Sequence, residues 1–306
     1  MIIHTLDLNF QDTPRAIASY LVIGPGGPVL VETGPGSTLP TLLWRLAERG
    51  YTPADIHHLL VTHIHLDHAG AAGWWAQQGT QVYVHHVGAP HLIDPSRLLS
   101  SAGRIYGDQM DKLWGQTLPA PAERITNVYD GDRVEVAGLT FIALDTPGHA
   151  THHHTYRLGD VAFTGDAAGV RIAGGPLLDV TAPPPEFDLE AWQRTLDRLL
   201  AESVTVIYPT HFGRVDGDVQ AHLEAYQVLL NQTADFVRER MTAGLERDEI
   251  LRQFLAWYET RAIEAGLDPA LIPQYEIANP HYMSVDGILR YWRKHQAING
   301  PPAPIR

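Results

Sequence analysis

Between residues 63 and 68 the chain reads His63-Ile64-His65-Leu66-Asp67-His68, placing three imidazoles and a carboxylate in six positions. The apolar run Leu59 to Thr62 just before it predicts a short buried strand. In an extended chain residues i and i+2 share a face, so His63 and His65 point the same way. A turn into a helix starting near Asp67 redirects Asp67 and His68 towards a neighbouring point. Two adjacent ligand groups of this kind suit two metal ions about 3.5–4 Å apart. So much polarity behind an apolar strand needs a partner for each buried group, and a metal ion supplies one.

Three more metal-competent side chains stand where other strands are expected to end. His149 follows Ala143-Leu144-Asp145-Thr146-Pro147-Gly148, Asp166 follows Val161-Ala162-Phe163-Thr164-Gly165, and His211 follows Val206-Ile207-Tyr208-Pro209-Thr210. Each is a strand, then a turn, then a ligand, the way a rigid sheet aims loop residues at a site. Ligation by nitrogen and oxygen alone suits zinc first, with iron or manganese as alternatives.

The elements that must position these residues alternate over the first ~210 positions between short β-branched runs and helical stretches, the pattern of a layered α/β protein. Ser19 to Ile23 and Pro28 to Glu32 flank a Gly-Pro-Gly-Gly turn and read as a hairpin. Thr38 to Arg49 carries Leu39, Leu42, Leu43 and Leu46 at helical spacing. Further strands are expected at Val82 to His85, Arg133 to Val136, Leu139 to Leu144, Tyr156 to Leu158, Val161 to Thr164 and Val204 to Tyr208, with a helix from about Leu189 to Glu202. Residues 86–117 read as helical. Residues 170–187, with Gly174-Gly175-Pro176 and Pro183-Pro184-Pro185, form a loop long enough to be functional. Beyond about Val215 strand signals vanish, and 218–243, 246–265 and 284–297 read as helices. The expected organisation is a domain at 1–215 and a helical module at 216–306, followed through Gly300 to Pro304 by a Pro-rich tail.

Composition narrows the classes of function. A formal charge of −13 disfavours nucleic acid, whose phosphates need a basic surface. With no cysteine, disulfides, thiolate metal sites and cysteine nucleophiles are excluded. The apolar runs fall short of the ~20 residues of a membrane span, and Met1 to Asp7 has no basic region before an apolar core, so a cytoplasmic protein free of membrane is expected. A small-molecule substrate is the expected partner.

Taken together, Glu32-Thr33-Gly34, the H-x-H-x-D-H segment, Pro147-Gly148-His149, Thr164-Gly165-Asp166 and Pro209-Thr210-His211 resemble, in order, the motifs of the metallo-β-lactamase superfamily over roughly the first 215 residues. The resemblance implies an αββα four-layer sandwich, here with a C-terminal all-helical module. It implies that His63, His65 and His149 bind one metal ion, that Asp67, His68 and His211 bind a second, and that Asp166 bridges them. It further implies a metal-dependent hydrolase acting through a metal-bridging hydroxide, with Asp67 as the catalytic proton acceptor. The bridging Asp166 speaks against antibiotic hydrolysis, since zinc β-lactamases lack it. The branch most similar is glyoxalase II-like, implying an ester or thioester substrate. A lactonase or a mono-iron persulfide dioxygenase are the alternatives; lactonases typically carry a tyrosine shortly after the bridging aspartate, where Ala167-Ala168-Gly169-Val170 stands here.

Around this set, Glu32 is expected either to support a ligand histidine or to make a turn contact. His152, His153 and His154 cannot all face the site and are expected to lie behind it or in solvent, while His57, His58, His85, His86 and His91 are expected at the surface or in packing. Tyr106, Trp114 and Tyr282 are expected in the core rather than in a pocket. The 216–306 helices are expected to cap the site or to form a homodimer interface.

Overall fold

The turn at Pro25-Gly26 joins strands β2 (Ala18–Gly24) and β3 (Gly27–Val31) with Gly24 opposite Gly27, the hairpin expected. The computed structural model describes residues 1–172, 175, 177–215 and 217–299. Gly174, Pro176 and the stretch Gly300 to Pro304 named above lie outside them. The hairpin belongs to a six-stranded sheet ordered β1 (Ile2–Asp7), β2, β3, β4 (His58–Leu60), β5 (Gln81–His85), β6 (Ile125–Val128). Its first three strands are antiparallel and its last four parallel. The second sheet runs β11 (Val206–Pro209), β10 (Val161–Gly165), β9 (His154–Leu158), β8 (Leu139–Asp145), β7 (Arg133–Val136).

Neighbouring residues along a strand serve different cores. Tyr20 and Val22 face Phe141, Tyr156 and Phe163 between the sheets. Leu21 faces outward onto a second cluster with Leu42 and Leu46 of α1 (Leu39–Ala47), Trp75 of α3 (Ala72–Gln77) and Ala69 of α2 (Leu66–Ala69). On the far side, Ala162 and Ile207 meet Trp192 and Leu196 of α7 (Leu189–Ala201). Both faces of the central strands are thus covered, and β2 and β10 are buried along most or all of their length. The result is the expected αββα layering.

Residues 86–117 are three helices, α4 (Ala89–Ile93), α5 (Ser96–Tyr106) and α6 (Met110–Trp114), broken at Asp94-Pro95 and at Gly107, whose φ of 52° ends α5. The C-terminal helices are α8 (Val219–Thr242), α9 (Arg247–Glu264), α10 (Ile272–Ala278) and α11 (His281–Asn299). Asp188 and Asp218 cap α7 and α8 by accepting the N–H of Ala191 and Ala221. Leu230, Phe254 and Ile288 of α8, α9 and α11 share one core with Trp192 of α7, so these helices lie on the second sheet's helical layer. Among the described residues no helix is long and apolar enough to cross a membrane.

Candidate metal centre

All seven side chains singled out in the sequence converge at one edge of the sandwich. Chain direction changes sharply after β4: His65 caps the short helix α2, which carries Asp67 and His68 round to the far side of His63. Glycines make two of the other three approaches. At Gly148 (φ 135°) an added Cβ would lie 2.3 Å from Cβ of Trp192, and at Gly165 (φ 52°) 2.5 Å from Oγ1 of Thr62, so only glycine fits before His149 and Asp166.

Two groups of ligand atoms result. His63 Nε2 lies 3.0 Å from His65 Nδ1, which lies 2.8 Å from His149 Nε2. His211 Nε2 and His68 Nε2 lie 3.4 and 3.7 Å from Asp67 Oδ2. Asp166 stands between the groups: its Oδ2 is 3.3 Å from His149 Nε2, and its Oδ1 is 3.2 Å from His68 Nε2 and 3.7 Å from His211 Nε2.

The nitrogens facing away from the cluster are mostly held by protein. The Nδ1–H of His149 donates to the Thr181 carbonyl at 2.9 Å, and that of His211 to the Ala16 carbonyl at 2.7 Å. Each then presents an unprotonated Nε2 inward, the tautomer a metal ligand requires. Glu32, held at φ 65° and buried, accepts the Thr62 N–H through Oε1 and sets Oε2 3.5 Å from His68 Nδ1. Of the two roles expected for it, Glu32 makes the backbone contact as a hydrogen bond and stands beside the ligand histidine at ion-pair distance.

The site residues are fitted to hold cations. Asp166 Oδ1, Glu32 Oε2 and both ring nitrogens of His68 are buried without a hydrogen-bond partner, an arrangement that costs stability unless an ion engages the inward-facing atoms. Burial, then the neighbouring imidazoles, pushes His63 far down and His65 to about 3, so these rings are neutral. Burial works against ionisation of Asp67, yet His68 and His211 hold it at about 2. Burial also opposes charge on His68, but Asp166 and Asp67 outweigh it and raise its pKa. The carboxylates thus demand positive charge at this spot. Groups His63/His65/His149 and Asp67/His68/His211 each bring their ligand atoms within 4.8 Å of one another.

Of the two places expected for His152, His153 and His154, behind the site or in solvent, the structure shows the buried one for all three. They point to three places: His152 to Glu186 (3.0 Å), His153 to the Asp166 N–H (3.2 Å) and Thr146 (2.8 Å), and His154 to Asp145 (2.7 Å). Thr181 donates its hydroxyl to Asp166 Oδ2 at 3.1 Å. The segment bearing Thr181 is gripped by the start of α11. Ser284 donates to the Val180 carbonyl and accepts the Ala182 N–H, at 2.9 and 3.1 Å, and a Cβ on Gly287 would stand 1.9 Å from the Ala182 carbonyl. His281 pairs with Asp179 at 3.0 Å. The only advance signal for Thr181 and Glu186 was the length of the 170–187 loop.

A cavity of about 610 Å³ opens over the cluster, with His65, Asp67, His149, Asp166 and His211 in its lining. Tyr106, Trp114 and Tyr282 line it too, which corrects the expectation of a purely core role. Tyr106 reaches across to α11, donating to Met283 Sδ at 3.2 Å. Burial, aided by the charge of Asp67, pushes its phenol upward.

Two packed sheets with a histidine–aspartate cluster at one edge define a metal-site sandwich, and residues 12–211 match the family model of the metallo-beta-lactamase superfamily. The chain belongs to that superfamily. It is 22% identical over 227 residues to a metallo-beta-lactamase fold-containing protein of Sulfurisphaera tokodaii, covering 72% of this chain and 83% of that one. An atrochrysone carboxyl ACP thioesterase of Aspergillus fumigatus is 26% identical over 216 residues, 70% of this chain and 41% of its own length. The lactamase-like protein adaB of Aspergillus niger is 29% identical over 68% of this chain, which spans about half (53%) of that relative. Among solved structures, a metallo-beta-lactamase family protein of Thermus thermophilus aligns with a TM-score of 0.68 and 24% identity, covering 96% of this chain and 94% of that chain, a likeness of fold.

Proposed function

We propose that the chain is a binuclear metal-dependent hydrolase of ester or thioester bonds. The observation that carries this reading is the division of Asp166 between the two ligand groups, one oxygen to each. His63, His65 and His149 would hold one ion, and Asp67, His68 and His211 the other, with zinc first and manganese or iron as alternatives. When bound, such ions lower the pKa of water towards neutrality and polarise a carbonyl oxygen. The chain's own residues orient and shield: Thr181 and Ala16 fix the tautomers of His149 and His211, and Glu32 sets the ring of His68. Asp67, ionised and partly open to the cavity, is placed to receive the proton released as water attacks. The thioesterase among the relatives supports the bond class.

The test is metal analysis of protein purified without added metal, in parallel with assays on thioesters, aryl esters and lactones. About two equivalents per chain, with hydrolysis abolished by Asp166→Ala, is the expected result. A preference for lactones would move the assignment to the lactonase reading. One iron per chain with oxygen uptake on persulfides would overturn hydrolysis altogether.

A further inference from the structure

The cavity above the cluster has an unequal distribution of chemistry. Its floor is polar, but its walls are Leu98, Ile105, Trp114, Ile277 and Met283, brought together from α5 and α6 on one side and α10 and α11 on the other, with Ile64 of the segment between β4 and α2 beside them. Among the lining residues there is one guanidinium, Arg97, set against two carboxylates beyond the floor, Glu186 and Glu276. Each of these carboxylates is already engaged by an imidazole, Glu186 by His152 and Glu276 by His281. A multiply anionic leaving group such as glutathione or coenzyme A would therefore meet one arginine and no lysine among the lining residues, on a protein of formal charge −13. An apolar group, in contrast, would be enclosed on both sides in a space of drug-ligand size.

Resting on the hydrolase reading above, we propose that the substrate is an ester or thioester with an apolar acyl group, aromatic or of medium chain length. The acyl group lies between α5–α6 and α10–α11, and the leaving group carries little or no negative charge. The reaction is a plain hydrolysis. The acyl C–O or C–S bond breaks, a C–O bond to the oxygen of water forms, and the water's proton passes to the departing alcohol or thiol. Nothing is oxidised or reduced. The C-terminal helices thereby become the specificity wall of the enzyme.

The experiment uses the full metal-loaded chain and a series of p-nitrophenyl esters from acetyl through octanoyl to 2-naphthoyl, with S-lactoylglutathione and octanoyl-coenzyme A alongside. Each methylene taken from water into an apolar wall should raise kcat/KM by about fourfold until the cavity is filled. Leu98→Trp, which narrows the space from the α5 side, should lower octanoyl turnover about tenfold more than acetyl turnover. Binding of octanoate and acetate to the unaltered protein is measured separately by calorimetry, which needs neither turnover nor a variant that folds. Acetyl turnover equal to octanoyl turnover, or S-lactoylglutathione as the best substrate, overturns the inference while leaving the hydrolase reading intact. If no ester or thioester turns over, the hydrolase reading falls. In that event octanoate binding without acetate binding supports the assignment of the cavity, and its absence overturns that too.

Discussion

His63, His65 and His149 on one side, and His85, Asp145 and His154 on the other, are both clusters whose ligand atoms lie within 4.8 Å of one another. Residue type does not separate them; the position of the protons does. In the first, His149 gives its Nδ1 proton to the Thr181 carbonyl and turns a bare Nε2 inward. In the second, His85 Nδ1 accepts the Val87 N–H at 3.1 Å, so its proton sits on Nε2, 3.5 Å from Asp145 Oδ1. His154 Nε2 meets the same oxygen at 2.7 Å. Asp145 thus turns one oxygen to both imidazoles, accepting a hydrogen bond from His154, whereas Asp166 divides its two oxygens between His149 and His68. The backbone partner of the outer nitrogen sets which ring nitrogen is left bare, the Thr181 carbonyl for His149 and the Val87 N–H for His85.

The most damaging change should be Asp166→Ala, which removes the one group shared by both halves of the site. Removing outer partners of a metal site typically costs about 10–100-fold, so loss of a shared ligand should cost on the order of a hundredfold or more in activity. Bound metal should fall below two equivalents by elemental analysis. Asp145→Ala should leave the metal content unchanged; loss of an equivalent there would erase the distinction between the clusters. A smaller effect is expected from Glu32→Gln, which keeps an oxygen for the Thr62 N–H but removes the negative charge beside His68. Metal affinity, read by competition with a chelator, should weaken about tenfold.

The pair His281–Asp179 represents a third arrangement, a charged one. Although burial opposes it, Asp179 raises His281 to about 9, above the ~6.5 of an unfolded histidine. Its contribution to stability is complete below pH ~6.5 and is lost as pH rises towards 9. Tm should decline over that window, and His281→Asn should flatten the decline. An unchanged slope would show that the pair is not ionised. The least effect belongs to Asp145→Asn. The Asp145 carboxyl is held down by His154 and His85 against the effect of burial, so it stabilises above ~3.9 and ceases to as pH falls through its folded value. Because Asp145 is about a third exposed, solvent screens the interaction, and the variant should differ from the parent only in a slightly flatter Tm profile in acid.

The candidate ligands were legible because each follows a strand end, and strand ends announce themselves by β-branched runs that stop at Gly or Pro. Of the four edge strands, β7 and β11 were legible, but β1 and β6 were not: their burial pattern is largely half-exposed, so their apolar signal is diluted. Helix α10 is too short for its periodicity to stand out. The supporting shell was hidden for a different reason. Thr181 acts partly through its backbone carbonyl, which every residue possesses, and its hydroxyl meets Asp166 from 15 positions away, while Ser284 reaches Ala182 across 102 positions. The three consecutive histidines looked alike in sequence, and only the turn leading into β9, which starts at His154, sorts His152, His153 and His154 into separate surroundings.

The grip of α11 on the Thr181 segment gives the molecule an order of completion. In synthesis, His149 and Asp166 are made long before Ser284 and Gly287, so a growing chain holds every candidate ligand before it holds what steadies one of them. The same grip works backwards by linkage, because an ion that favours the seated form of His149 must also favour the docked helix. Loading the site should therefore be registered as slower amide exchange in α11, a helix that contributes no ligand of its own.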